Sequence, residues 1–302
     1  MYTVDSSFIH TFAGNPLDRA QNLRKDPGAL TALQHSSDSQ FLPFHKLKVA
    51  TNQAAKLAWV TNRQLPDRVD QFVFLGLQDG RGHFAASVAE DFRTDEIMRF
   101  TDCRQAAAGL DFQEAGIVSQ ARAMLDWHQR NPFCAVCAQP TRAARGGQIR
   151  HCDSCDKHIF PRTDPVAIML IQDDAQGDHC LLGKSQGRMA SSNFYSALAG
   201  FVDQGESLEE AVRREVMEEA GIKVGTVSYH SSQPWPFPSS LMIGCHGIAQ
   251  TRDIVIDTAE MADVAWFDRP SVRAAIAGEN PDLRIPGPGA IAHHLIKAWA
   301  FP

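Results

Sequence analysis

The chain has 302 residues, enough for about two domains, and its 44% hydrophobic and 21% charged content is that of a soluble globular protein. Its formal net charge of −6 argues against a general electrostatic grip on nucleic acid. No apolar run approaches the roughly 18 residues that span a bilayer, and neither a secretory signal at Met1–Ser7 nor a retention address at Ala300–Pro302 is present, so a cytoplasmic protein that avoids membranes is expected.

In residues 1–45, Pro16, Pro27, Gly28 and Pro43 interrupt any long element. Strands are predicted within Leu47–Val60 and over Gln71–Leu77. The turn Gln78–Gly82 and the run His83–Val88 then complete a hairpin. Ala106–Gln129 reads as a helix with Ala115, Val118, Ala121, Ala123, Leu125 and Trp127 toward the core. No internal repeat is visible. Residues 1–129 form a small α+β domain with no chemistry of its own, suited to packing or dimer formation.

Residues 130–162 carry Cys134 and Cys137, then Cys152 and Cys155, in the pattern C-x2-C-x14-C-x2-C with a hairpin at Gly146-Gly147. Two such turns bring four thiolates to a tetrahedral site, and four cysteines leave no open position, so one structural Zn2+ is expected in a zinc ribbon. His151 and His158 are bystanders in this reading, and Cys103, Cys180 and Cys245 lack paired spacing.

Residues 163–302 open with a linker, Pro161–Pro165. Strands follow at Val166–Ile171 and His179–Gly183, with Ser196–Ala199 leading into a loop and helix. Further strands are predicted at Gly225–His230, Leu241–Gln250 and Val264–Phe267, and helices at Pro270–Ala277 and Pro288–Trp299. Strands flanking one central helix, with more helices at the end, make an α/β/α sandwich with a mixed sheet. The central helix starts at Ser207, with Glu210 completing a capping box, and stops at Gly221. Glu215, Glu218 and Glu219 share one face, where like charges repel. A divalent cation resolves that repulsion, and magnesium brings phosphates with it. The competing reading is a solvated surface helix.

The loop separates the two. Gly200, Glu206, Arg214, Glu215, Val216, Glu218, Glu219, Gly221 and Ile222 fill every fixed position of G-x5-E-x7-R-E-U-x-E-E-x-G-U, where U is aliphatic. This stretch resembles the Nudix box of the Nudix hydrolases. Downstream, Ser232–Ser240 reads SQPWPFPSS, in which three prolines stiffen an extended loop and Trp235 and Phe237 offer faces for a nucleobase or nicotinamide; the competing reading is a surface loop that docks these aromatics into the core. With ribbon, box and this loop in order, residues from about 130 onward resemble the NADH pyrophosphatase branch of that family.

The resemblance implies an α/β Nudix sandwich, preceded by a zinc ribbon and a small α+β domain. It implies an enzyme that hydrolyses NADH or NAD+ to NMNH or NMN and AMP, and that removes NAD caps from RNA 5′ ends. It implies several catalytic Mg2+ or Mn2+ ions held by Glu215, Glu218, Glu219, Glu260 and the carbonyl of Ala199. Glu219 and Glu215 are the catalytic pair, Arg214 orients a glutamate, and Glu206 fixes the loop. Substrate contacts are implied at Phe160 (a position usually tyrosine), Gln233, Pro234, Trp235, Pro236, Phe237, Pro238, Ser239, Ser240, the main chain of Ala292, and Arg104. Gly147 stands where the family has a glutamate, which puts a ribbon contribution to binding in question. A homodimer is implied too. Other readings are a Nudix enzyme for ADP-ribose or diadenosine polyphosphates, and a zinc-ribbon binding module whose Nudix domain senses a nucleotide.

Overall fold

A computed structural model describes residues 10–93, 98–187 and 190–302. The chain divides into two compact units, Met1–Thr163 with Pro234–Ser239, and Asp164–Gln233 with Ser240–Pro302. No helix among the described residues is long and apolar enough to cross a membrane.

The first unit holds α1 (Pro27–His35), β1 (Gln40–His45), β2 (Lys48–Asn52), β3 (Val60–Thr61), β4 (Gln71–Gln78), β5 (Arg81–Ser87), β6 (Met98–Thr101), α2 (Cys103–Ala107) and α3 (Phe112–Arg130). Its sheet has the order β4-β5-β1-β2-β6, with β3 on β1. Only β1 and β5 run parallel among the register pairs; the others are antiparallel. The period-2 alternation of strand side chains divides β1 between two cores. Leu42 and Phe44 join Val118, Ala121 and Leu125 of α3, whereas Phe41 joins Leu30 of α1 on the other face. The single helix expected over 106–129 is two, because Asp111 leaves the helical path to cap α3, accepting from the Glu114 N–H.

Three further strands, β7 (Arg142–Ala144), β8 (Ile149–Cys152) and β9 (Lys157–Ile159), form the ribbon, in that order and antiparallel. Its turn is fastened to the preceding sheet: the Phe74 N–H donates to Gly146 O at 2.8 Å. Burial pushes His128 down to about 4. The neutral ring donates from Nε2 to Gly147 O at 2.7 Å and accepts at Nδ1 from Arg150 at 2.9 Å. Gly147 has φ +82, and a Cβ there would stand 3.0 Å from Phe72 O, so this turn has no room for the glutamate that the resemblance places there.

The second unit holds β10 (Asp164–Gln172), β11 (His179–Ser185), β12 (Leu198–Phe201), α4 (Leu208–Ala220), β13 (Val224–Trp235), β14 (Ser240–Ala249), β15 (Met261–Asp268), α5 (Arg269–Ala277) and α6 (Ile291–Ala300). The sheet order is β13-β14-β10-β11-β15, with β12 on β10 and β10 parallel to β14. α4 packs on one face through Ala211, Val212 and Val216, and α6 on the other through Leu295, Ile296 and Trp299. Three boundaries differ from expectation. The linker gives way to β10 at Asp164, and α6 begins at Ile291, after a turn at Pro288–Ala290. The proline motif is not a free loop: β13 continues through Gln233, Pro234 and Trp235, and only 236–239 turn.

The two sheets share one topology: the same spatial order, a parallel pair at the centre and a short spur on the central strand. A repeat is therefore present where the sequence shows none, because topology constrains the burial pattern and not residue identity. The copies differ at one connection. Between β12 and β13 stands α4, whereas between β3 and β4 only the 3-10 turn Asn62–Gln64 remains. Among the described residues, the first unit thus has no counterpart of the carboxylate-bearing helix between these strands.

Candidate active site

The helix α4 forms where its caps dictate. Ser207 Oγ accepts from the Glu210 N–H, and Glu210 Oε2 accepts from the Ser207 N–H at 2.7 Å. Gly221 closes it in the left-handed conformation, φ +70. Its stripe of Ala211, Val212, Val216 and Ala220 is fully buried. Glu215 and Glu219 lie beside that stripe and are drawn in with it, to 9% and 7% exposure, while Glu218 stays in solvent.

Burying two carboxylates four residues apart is unfavourable without compensation. Glu215 has it. Arg214 donates to Glu215 Oε1 at 2.7 Å, to Glu218 Oε2 at 3.0 Å and to Phe201 O at 2.9 Å. The same guanidinium grips Glu206 with two bonds of 2.6 and 2.8 Å, which holds that carboxyl down at about 2. Glu206 also accepts from the Asp203 N–H at 3.0 Å, tying the loop to the helix. Gly200 completes the arrangement on β12. A Cβ there would fall 1.9 Å from Glu215 Cδ, so only glycine leaves room for this carboxylate.

Glu219 lacks such a partner among the described residues. Its Oε2 is buried with no hydrogen-bond donor. Burial first, then the negative charges of Glu215, Glu260 and Glu218, push its carboxyl up to about 8. An orphaned buried oxygen among four carboxylates suits a hard divalent cation, which takes oxygen ligands. The undonated oxygen of Glu219 therefore suits such an ion, with Glu215, Glu260 and Glu218 as the negative charges around it. Glu260 lies on an exposed turn whose carbonyl accepts from the Gln186 N–H at 2.8 Å, which binds the turn to the end of β11. A cavity of about 370 Å³ opens beside Glu219, lined by Ala199, Ser196, Lys184, Gln186 and Phe194 among others.

The ribbon cysteines are gathered more tightly. All four Sγ atoms lie within 4.8 Å of one another, the one group of this kind among the described residues. The pairs Cys134–Cys155, Cys137–Cys152 and Cys137–Cys155 stand 3.7, 3.5 and 3.4 Å apart. A tetrahedron of thiolates about 2.3 Å from zinc has edges of about 3.8 Å, whereas a disulfide needs about 2.05 Å. Backbone N–H groups of Cys137 and Val136 lower Cys134 to about 7, favouring the thiolate that zinc requires.

Comparison with known proteins agrees with this geometry. A model of the NUDIX domain matches residues 161–284. Models of the NADH pyrophosphatase zinc ribbon domain and of the NADH pyrophosphatase-like rudimentary NUDIX domain match 129–160 and 38–127. Nudix hydrolase 19, chloroplastic, of Arabidopsis thaliana is 33% identical over 96% of this chain and 86% of its own length. The chain belongs to the Nudix hydrolases. An NAD-capped RNA hydrolase NudC of Mycobacterium bovis is 37% identical over 76% of this chain and 75% of its own. NAD-capped RNA hydrolase NUDT12 of Macaca fascicularis is 44% identical over 62% of this chain, a match spanning 42% of that longer protein.

In this Nudix hydrolase the other expected site residues fall into separate places. Trp235 and Phe237 are not bare plates. Their rings meet edge-on at 5.3 Å, both touch Phe12, and the Arg104 guanidinium lies 4.1 Å from the Phe237 centroid and 5.5 Å from that of Trp235. Arg122 sits 4.4 Å from the Phe237 ring and donates to Pro236 O. The Phe237–Pro238 bond is cis, Ser239 lies in the turn, and Ser240 opens β14 opposite Asp164. Phe160 follows β9, is 59% exposed and has His158 edge-on at 6.5 Å.

Gln233 is held by its amide. It is 1% exposed; its Oε1 accepts from the Ile291 N–H at 2.8 Å and its Nε2 donates to Gly289 O at 2.9 Å. It caps α6, whose Ala290 N-cap offers no side chain. The amide thus positions the start of α6, and Gln233 stays among the proposed substrate contacts. Ala292 is buried in the first turn of the same helix. Two candidates escaped the sequence reading. Phe201, 60% exposed, follows Gly200 on β12; its signal is an aromatic inside an acidic loop. Lys184 has no sequence signal beyond ending an apolar strand.

Proposed function

We propose that this Nudix hydrolase cleaves the diphosphate of NADH and NAD+, releasing NMNH or NMN and AMP, and that it acts likewise on NAD caps at RNA 5′ ends. The observation that carries the reading is Glu219. It is a buried carboxyl with an unpartnered oxygen, placed beside a cavity on a helix of clustered acids. The activities named for its relatives supply the substrate class.

Glu215, Glu218, Glu219, Glu260 and the Ala199 carbonyl are the proposed donors for several Mg2+ or Mn2+ ions. Such ions supply neutralisation of the diphosphate and a lowered pKa for water. Glu219 takes a proton from that water as its oxygen attacks phosphorus. The bond from phosphorus to the bridging oxygen breaks, and the leaving phosphate keeps the electron pair. Glu215, fixed by Arg214, keeps its direction through the step. Phe160, Arg104, Gln233, Trp235, Phe237, the prolines 234, 236 and 238, Ser239, Ser240 and the main chain at Ala292 are the proposed substrate contacts, and Phe201 offers a further face for a planar base. One Zn2+ in the ribbon has a structural role. The proposed domains are 1–129, 130–162 and 163–302, in a cytoplasmic homodimer.

The test is direct. Purified protein with NADH and either Mg2+ or Mn2+ should release AMP and NMNH in equal amounts, read by chromatography. No product with either metal, together with turnover of ADP-ribose, sinks the NAD(H) assignment. Comparing kcat/KM on NADH and on NAD-capped RNA then ranks the two substrates.

A further inference from the structure

The cavity beside Glu219 has a second charged wall. Lys184, on β11, is half-buried and lines the cavity with Ser196, Ala199, Gln186 and Phe194; it is the cationic side chain of that lining among the described residues. Its ammonium donates to Ser192 O at 3.1 Å and lies 4.9 Å from the Tyr195 ring centroid. That ring is itself held. The Tyr195 hydroxyl donates to Asp263 Oδ2, and Phe267 packs edge-on against it at 4.9 Å. Carbonyl and ring therefore fix the ammonium without neutralising it. One of its three N–H donors is used on the carbonyl, and no carboxylate pairs with it at 4.0 Å or less among the described residues.

A phosphoric anhydride needs what this cavity combines. Its oxygens are negative before the reaction, and hydrolysis turns an anhydride diester into two phosphate monoesters that together carry more charge. A fixed ammonium in the cavity that Glu219 also lines is complementary to the substrate and more so to the products. A lysine whose only task was packing would need neither a pre-set ammonium nor a polar cavity in front of it.

We infer that Lys184 is a substrate-binding residue whose ammonium holds a non-bridging phosphate oxygen of the nucleotide in the cavity beside Glu219. The inference deepens the proposed NAD(H) diphosphatase reading and takes only the substrate's identity from it; phosphate recognition is tested separately.

The experiment uses the full chain, with Lys184→Met, Lys184→Gln and Lys184→Arg. Affinity for AMP with Mg2+ is measured by calorimetry, with adenosine as the phosphate-free control. Losing a charged hydrogen bond should weaken AMP by about 10- to 100-fold in the Met and Gln variants and leave adenosine unchanged. Arginine should restore AMP affinity to within about fivefold, since it keeps charge and donors. The kcat/KM for NADH should fall by a similar factor. AMP affinity within about twofold of wild type in both neutral variants, or an equal loss for AMP and adenosine, overturns the inference. If the wild type does not cleave NADH yet AMP binding depends on position 184 as stated, the NAD(H) reading falls and Lys184 stands. Gln guards against a packing defect peculiar to Met.

Discussion

Replacing Glu219 by Gln removes a charge that the fold holds at a cost, so this variant should become more stable as it loses activity. The carboxyl titrates at about 8 against an ordinary 4.5. Because the folded value is the higher one, its contribution to stability is complete below about pH 4.5 and is lost as pH rises through about 8. At about 1.4 kcal/mol per unit, the penalty reaches at most ~4 kcal/mol near pH 8 and stays under ~1 kcal/mol near pH 5. Adjustment of the neighbouring carboxylates absorbs part of it, leaving about 2–3 kcal/mol as the expected gain near pH 8. For a unit of this size, that gain is a rise in melting temperature of about 5–10 °C. The assay is thermal unfolding in chelator at both pH values, paired with NADH turnover in Mg2+. Turnover should fall by about 10²- to 10⁴-fold, the usual contribution of a general base. Added Mg2+ should raise the wild-type melting temperature more than that of the variant, since the ion stabilises only by binding the native site. A melting gain that is the same at both pH values, or a variant with full rate, refutes the reasoning.

Three further outcomes follow from the same geometry. Gly200→Ala places a methyl where Glu215 Cδ stands; activity should drop by about 100-fold or more, and Mg2+ affinity with it, while far-ultraviolet circular dichroism stays unchanged. Gln233→Ala strands the Ile291 N–H and the Gly289 carbonyl, costing about 1–3 kcal/mol in chemical denaturation. A rise in KM without that loss of stability would show the amide on the substrate instead. Cys152→Ser breaks the thiolate quartet, so zinc measured by mass spectrometry should fall from about one per chain to near zero. Unfolding of the first unit should then begin at lower temperature.

The central helix was legible because its signals are local. A cap at Ser207, a stop at Gly221 and apolar residues at helical spacing act over one or two turns, and the observed helix obeys them. The cysteine quartet was legible for a similar reason: each pair closes within a tight turn, leaving only the meeting of two turns to the fold. The hairpin β4–β5 of the N-terminal unit was legible too, but that unit's kinship with the second was not. Its strand order matches that of the second unit, yet a core asks only for apolar residues in alternation, so divergence erases the repeat while the sheet persists. The role of Gln233 was hidden because its partners lie 56 and 58 residues away.

The sequence by itself determined which groups are present: four thiolates in two turns, three glutamates on one helical face, an arginine among them, and a stiff aromatic stretch. Short-range geometry decides these matters, through the helical period and the reach of a turn. Only the tertiary structure decided what each group does. It turned Arg214 onto Glu206 and Glu215, set Glu215 against Gly200 and left Glu219 buried without a donor. It also brought Lys184 to the wall that Glu219 shares. Burial and charge proximity set a carboxyl's pKa, and both are properties of the packed sheet and not of the residue order.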